Sequence, residues 1–133
     1  MNREKLSLFE DYLKAGISPL LIPSSYMDIL DNYVVLNSNI DKTQLDGHYE
    51  YIDYCPPKWY KELLDKSSNG ICLLVINNIN EIPLEEQTKF IEILKYNKIS
   101  TFDLPKNCLV LVTCSDLKNI RINEEVASLL VQI

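Results

Sequence analysis

The chain has 133 residues, a mass of 15.4 kDa, a formal charge of −6 and a sequence pI near 4.7. That length suits one hydrophobic core and not two, and the acidic balance argues against general binding to nucleic acid or to anionic membrane surfaces, which need clustered Lys and Arg. With 47% hydrophobic and 24% charged residues, no apolar run of the ~18 residues a spanning helix needs, and no signal-peptide core after Met1-Asn2-Arg3-Glu4-Lys5, the expectation is a single cytoplasmic domain over residues 1–133.

In chain order, Leu6, Phe9 and Leu13 stand at helical spacing over residues 4–14, with Gly16 as the stop. Pro19-Leu20-Leu21-Ile22-Pro23 is a short apolar run bounded by prolines and predicts the first strand. Ser24 or Ser25 caps a helix running through Met27 and Leu30 to about Asp31. Tyr33 to Asn37, with β-branched Val34 and Val35 at its centre, predicts a second strand. Residues 37–54 are polar and rich in tyrosines and acids, so they read as a loop or a small hairpin.

Pro56 and Pro57 open a helix over residues 58–66, with Trp59 and Leu63 facing inward, because proline is tolerated in the first turn, where its missing N–H has no partner anyway. Residues 71–76 form a continuous apolar run after Asn69-Gly70, which predicts a strand buried on both faces. A turn at Glu81-Ile82-Pro83 leads to an amphipathic helix over residues 84–96, with Glu85 and Glu86 in its first turn. Residues 98–104 suggest a hairpin arm ahead of Pro105, and Leu109 to Thr113 another buried strand with Cys114-Ser115-Asp116 as its exit. A short helix over 123–130 and an edge strand at Val131-Gln132-Ile133 end the chain. Strands alternating with helices imply a parallel α/β sheet, and right-handed crossovers place the strand ends at 22, 37, 76 and 114 along one edge.

That edge is where open α/β sheets take their ligands. Several segments that lead to it, in order and spacing, resemble the core of MoxR-type AAA+ ATPases: Tyr54-Cys55-Pro56-Pro57-Lys58-Trp59-Tyr60, then Leu73 to Asn80, then Ile82-Pro83 with Gln87, then Leu104-Pro105-Lys106-Asn107, then Leu109 to Ser115. The resemblance implies a three-layer α/β fold, a parallel sheet flanked by helices, as in a reduced P-loop NTPase core without the helical lid. The departures concern the chemistry. After Leu20-Leu21-Ile22 the chain reads Pro23-Ser24-Ser25-Tyr26-Met27-Asp28, with neither the glycines nor the lysine of a phosphate loop. At the Walker B positions of the family stand Asn77 and Asn78 in place of aspartate and glutamate, and an amide is a poor magnesium ligand and no base. Ser115 falls at the sensor-I position, and apolar Leu129 near the position of the arginine that acts on a neighbour's nucleotide. The resemblance therefore implies a pseudo-ATPase: ATP and Mg²⁺ belong to the ancestry and are not expected as cofactors, and the expected partner is a protein, an active AAA+ ATPase among the candidates. A nucleotide-binding sensor without hydrolysis is the alternative.

Other side chains are read from their local pattern. Tyr49, Tyr51 and Tyr54, with Glu50 and Asp53 between them, form either an exposed recognition edge or a half-buried hairpin. Asp41, Asp46, Glu50 and Asp53 do not match an EF-hand and read as solvated acids, and no acid, base and nucleophile set gathers in this stretch. Cys55, Cys72, Cys108 and Cys114 lack any Cys-x-x-Cys spacing, so no metal site is indicated; the last three read as small buried hydrophobes. His48 reads as a solvent-exposed side chain.

Overall fold

The computed structural model describes residues 3–115 and 121–132. Strands β1 (Leu20–Pro23), β2 (Tyr33–Asn37), β5 (Cys72–Asn77), β8 (Cys108–Cys114) and β9 (Val131–Gln132) form one sheet in the order β2-β5-β8-β1-β9, with every pairing parallel. Two small antiparallel pairs, β3 (His48–Glu50) with β4 (Asp53–Cys55) and β6 (Lys98–Ile99) with β7 (Phe102–Asp103), lie outside it. The helices are α1 (Arg3–Lys14), α2 (Lys42–Leu45), α3 (Lys58–Ser67), α4 (Ile91–Tyr96) and α5 (Glu124–Ser128).

Strand side chains alternate between two faces, and each face has its own core. Leu20 and Ile22 of β1, Leu73 and Val75 of β5 and Leu111 of β8 meet Phe9 of α1 and Tyr26 on one face. Leu21, Leu74, Ile76, Val110 and Val112 meet Trp59 and Leu63 of α3, Phe90, Ile93 and Leu94, and Val126 of α5 on the other. Handedness explains the division. The chain leaves β1 in one direction along the sheet to reach β2, and every later crossover between sheet strands moves in the opposite direction. Right-handed connections must then lie on opposite faces. Strands β1 and β8 are therefore neighbours whose outgoing connections leave to opposite sides, and this is the switch point of the sheet.

Three helices differ from the sequence expectation. The segment after β1 is a 3-10 helix, Ser24–Ile29, and its buried residue is Tyr26, whose ring lies 5.4 Å from that of Phe9; Met27 and Leu30 are only partly buried. The helix expected over 84–96 is divided into a 3-10 segment, Glu86–Phe90, and α4. Tighter winding brings side chains three residues apart onto one side, and Gln87 and Phe90 both point inward. The last helix is shorter than expected, and its Asn123 cap accepts hydrogen bonds from the N–H groups of Glu125 and Val126. The expected edge strand appears at Val131–Gln132, paired with β1, while Ile133 and Asp116 lie outside the described residues.

Gln87 is fully buried and ties the segment after β5 to the approach to α5. Its Nε2 donates to the carbonyls of Ile79, Ile82 and Arg121, and its Oε1 accepts from the N–H of Asn123 at 2.7 Å. At the sheet edge, Lys66 Nζ of α3 donates to the Tyr33 carbonyl at 2.8 Å. Replacing Gln87 by Leu leaves several buried backbone groups unpaired and should lower stability by about 2–4 kcal/mol. A fall in the urea midpoint at unchanged slope would register that loss.

Candidate functional site

At the carboxyl edge of the sheet, β5 ends in Asn77 and turns through Asn78, whose backbone is left-handed (φ 56, ψ 56). Asparagine tolerates that region better than most residues. The hydroxyl of Thr113 on β8, fully buried, serves both neighbours: it donates to Asn77 Oδ1 at 2.7 Å and accepts from the N–H of Asn78 at 2.8 Å. Ser38, buried just past β2, donates from its N–H to the Asn77 carbonyl and from Oγ to the Asn78 carbonyl. Two residues further on, Ser115 meets Asn80. Its N–H donates to Asn80 Oδ1 at 3.0 Å, and Asn80 Nδ2 donates to Ser115 Oγ at 3.0 Å.

The three sheet strands β2, β5 and β8 are thus sewn together at their carboxyl ends by neutral amides and hydroxyls. Asn77 and Ser115, singled out from the sequence, both belong to this network, although they do not bond each other directly. Asn78 joins it through its backbone, while its Oδ1 is enclosed with no partner among the protein atoms. Sequence reasoning missed Thr113, Ser38 and Asn80. Thr113 sits inside an apolar strand, where its β-branch alone explains it; only the tertiary pairing shows the hydroxyl's task.

Outside the ends of β2 and β5 lies an open cavity of about 370 Å³, bordered by Asn37, Asn39, Asn77, Asn78 and Glu81, and among the described residues no basic side chain lines it. A phosphate would meet amides and a carboxylate there, with no cation among the described residues to balance its charge. The turn after β1 offers no cradle either. Its chain is drawn down onto the sheet by buried Tyr26, and no glycine lies between Pro23 and Leu30. Magnesium finds a poor fit as well, since Asn77 Oδ1 is already engaged by Thr113. Among the described residues no group of three or more His, Cys, Asp or Glu side chains gathers to hold a metal ion. Leu129 is partly buried against the core under α5, at the helix end, where its N–H donates to the Val126 carbonyl.

The tyrosines form a second candidate region. In the β3–β4 hairpin, Tyr49 and Tyr54 face each other across the strands with ring centroids 4.9 Å apart, and Tyr54 stacks on Phe102 at 5.6 Å. Phe102 in turn meets Tyr60, which is adjacent to Trp59. Trp59 is buried and donates from Nε1 to the Leu45 carbonyl, so it is core rather than surface. The hairpin lies tight on its base: a Cβ at Gly47 would come within 2.8 Å of the Tyr54 ring and 2.9 Å of the Cys55 carbonyl. Beyond this anchored base the tip is bare, with Tyr49 72%, Tyr51 102% and Ile52 92% exposed. Glu50 flanks the tip and pairs with His48 at 3.1 Å, and that hydrogen bond, aided by the imidazole charge, holds its carboxyl below the ordinary range. Burial, reinforced by Asp103, pushes the Tyr60 phenol up.

No protein-family model matches the chain, and no curated protein matches it either.

Two substitutions test the strand-end network. Thr113→Val keeps the shape but strands Asn77 Oδ1 and the Asn78 N–H, so chemical denaturation should report a loss of about 1–3 kcal/mol. Asn78→Gly relieves the left-handed backbone and removes the enclosed, unpaired oxygen. It should be at least as stable as the parent, and Asn78→Ala less stable than Asn78→Gly by about 1 kcal/mol.

Proposed function

We propose that this protein is a catalytically inactive relative of MoxR-type AAA+ ATPases that works through protein contacts, joining or restraining an active ATPase ring or adapting it to a target. The lineage is supported by where the resembling segments fall. Pro56-Pro57-Lys58-Trp59 opens α3, the 73–78 run is the central strand β5 and its exit, and Ile82-Pro83 leads into the segment that carries Gln87. Leu104-Pro105-Lys106-Asn107 is the turn into β8. A five-stranded parallel sheet with helices on both faces and a switch point beside β1 is compatible with a P-loop NTPase core.

The observation that carries the inactive reading is the hydrogen-bonded closure of the strand ends. Where hydrolysis would need an ionised acid holding magnesium and another activating water, Asn77 and Thr113 satisfy each other, and Asn80 and Ser115 do the same. The contact reading rests on the hairpin. Exposed aromatic side chains on a rigid base present a large apolar area with little conformational entropy to lose, and Tyr is enriched at interfaces. With Glu50 and Asp53 beside them and a net charge of −6, they suit an apolar partner surface rimmed by Lys and Arg.

Calorimetric titration with ATP and with ADP, each with magnesium, should give no saturable heat at millimolar ligand; saturable binding would replace this reading with the nucleotide sensor. For the contacts, affinity purification of the tagged chain should recover an AAA+ ATPase that is lost with Tyr51→Ser/Ile52→Ser. Recovery of the same ATPase with the doubly substituted chain would remove the hairpin from the interface, and a partner set without any ATPase would remove the ring role.

A further inference from the structure

Cys72 and Cys108 begin the two central strands. In the parallel register of β5 and β8 they are direct partners, and both belong to the core on the α3 side of the sheet. Both are free thiols. Adjacent strands lie about 4.8 Å apart, inside the ~4.4–6.8 Å between Cα atoms that a disulfide bridges. The backbone around the pair is already fixed: Asn107 Nδ2, next to Cys108, donates to the carbonyls of Ser67 and Gly70, and the Cys72 N–H donates to the Asn107 carbonyl. Cys72 is wholly buried, whereas Cys108 is half-buried at the amino rim of the sheet, so Cys108 is the partner nearer to solvent and Cys72 lies beside it in the register.

We propose that Cys72 and Cys108 form an oxidative modification site, a dithiol that a peroxide converts into a disulfide joining β5 to β8. In the first step the Cys108 thiolate attacks one oxygen of hydrogen peroxide. The O–O bond breaks, leaving a sulfenic acid on Cys108 and a hydroxide that takes up a proton. The Cys72 thiolate then attacks the sulfenic sulfur, the S–S bond forms, the S–O bond breaks, and the departing hydroxide is protonated to water. Two thiols and one peroxide thus become one disulfide and two waters, and two electrons pass from sulfur to oxygen.

The pair is guarded. Burial, followed by the neighbouring Cys72, pushes the Cys108 thiol up to about 12, and burial raises Cys72 as well. Among the described residues, the charged groups that face Cys72 are Lys66, which favours its thiolate, and Glu62, which opposes it, both on α3. Thiolate is scarce at neutral pH, so the cross-link forms slowly there and its rate should rise about tenfold per pH unit between pH 7 and 10. The closed loop contains α4 and the β6–β7 pair. Joining its ends restricts the unfolded chain, so the oxidised protein should resist urea better than the reduced protein.

The test treats the reduced, folded protein with hydrogen peroxide at several pH values and maps its peptides without reduction. Fragmentation is needed to distinguish Cys108 from Cys114, because cleavage at Lys106 and Lys118 leaves both in one peptide. The expected product is a Cys72–Cys108 linked peptide lighter by two hydrogens, with the stated pH dependence and a raised urea midpoint. Cys72→Ser should abolish the link and leave a Cys108 sulfenic acid that dimedone traps. Cys108→Ser, altering the more exposed partner, should abolish the link with less effect on folding. Oxidation confined to Cys55, or a Cys72–Cys108 link that appears only in urea, would overturn the proposal.

Discussion

A parallel sheet cannot leave a face to water without exposing the apolar side chains that hold it, and the rest of this fold follows from covering both faces within 133 residues. The strand order puts a single crossover on one face and the others on the opposite face. One face therefore depends on α1 and a 3-10 turn. Phe9 and Tyr26 close over Leu20, Ile22 and Leu111 with help from partly buried Leu6, Leu13 and Met27. The first crossover has a 3-10 helix in place of a full α-helix, and its aromatic side chain, Tyr26, is buried against this face beside Phe9. The packing that completes this thin layer also removes the space in which a wider loop after β1 would stand.

At the strand ends, neutral groups replace what charges would have to do. Buried or half-buried acids need a cation or several donors to remain ionised, and in their absence they weaken the fold. An amide beside a hydroxyl satisfies itself at short range and is indifferent to salt and pH. Thr113 carries this economy furthest, since one hydroxyl organises the ends of β5 through a side chain and a backbone group at once. The result is an edge whose polar groups are largely paired with one another.

Most of the elements could be read from local pattern because each rests on local physics. The run at 71–76 became β5, shifted by one residue to 72–77, and the one at 109–113 became β8 with one extra residue at each end, since continuous apolar residues of that length fit a strand covered on both sides. The helix opened by Pro56 and Pro57 was equally legible, with Trp59 and Leu63 inward. The 84–96 segment was not, because its apolar spacing fits a helix throughout, while the demand for Gln87 and Phe90 on one side comes from carbonyls elsewhere in the chain. Helix α2 escaped notice because Leu45 is its single buried residue. At the candidate site, Asn77, Asn78 and Ser115 stood out through a resemblance. Their partners Thr113 and Asn80 were invisible, because contacts between residues about 35 positions apart leave no mark on either neighbourhood.

The lysine that reaches across the outer flank of β2 has a further consequence. A strand at the side of a sheet offers its unpaired backbone to any extended chain that drifts past, and β2 is the longer of the two outermost strands here. Lys66 sets an ammonium group on the Tyr33 carbonyl, and the Ile40 N–H occupies the carbonyl of Asn37 at the other end. A foreign strand would have to dislodge both, and would bring its own apolar side chains beside a charge. The fold thus guards this edge against fibrous self-assembly.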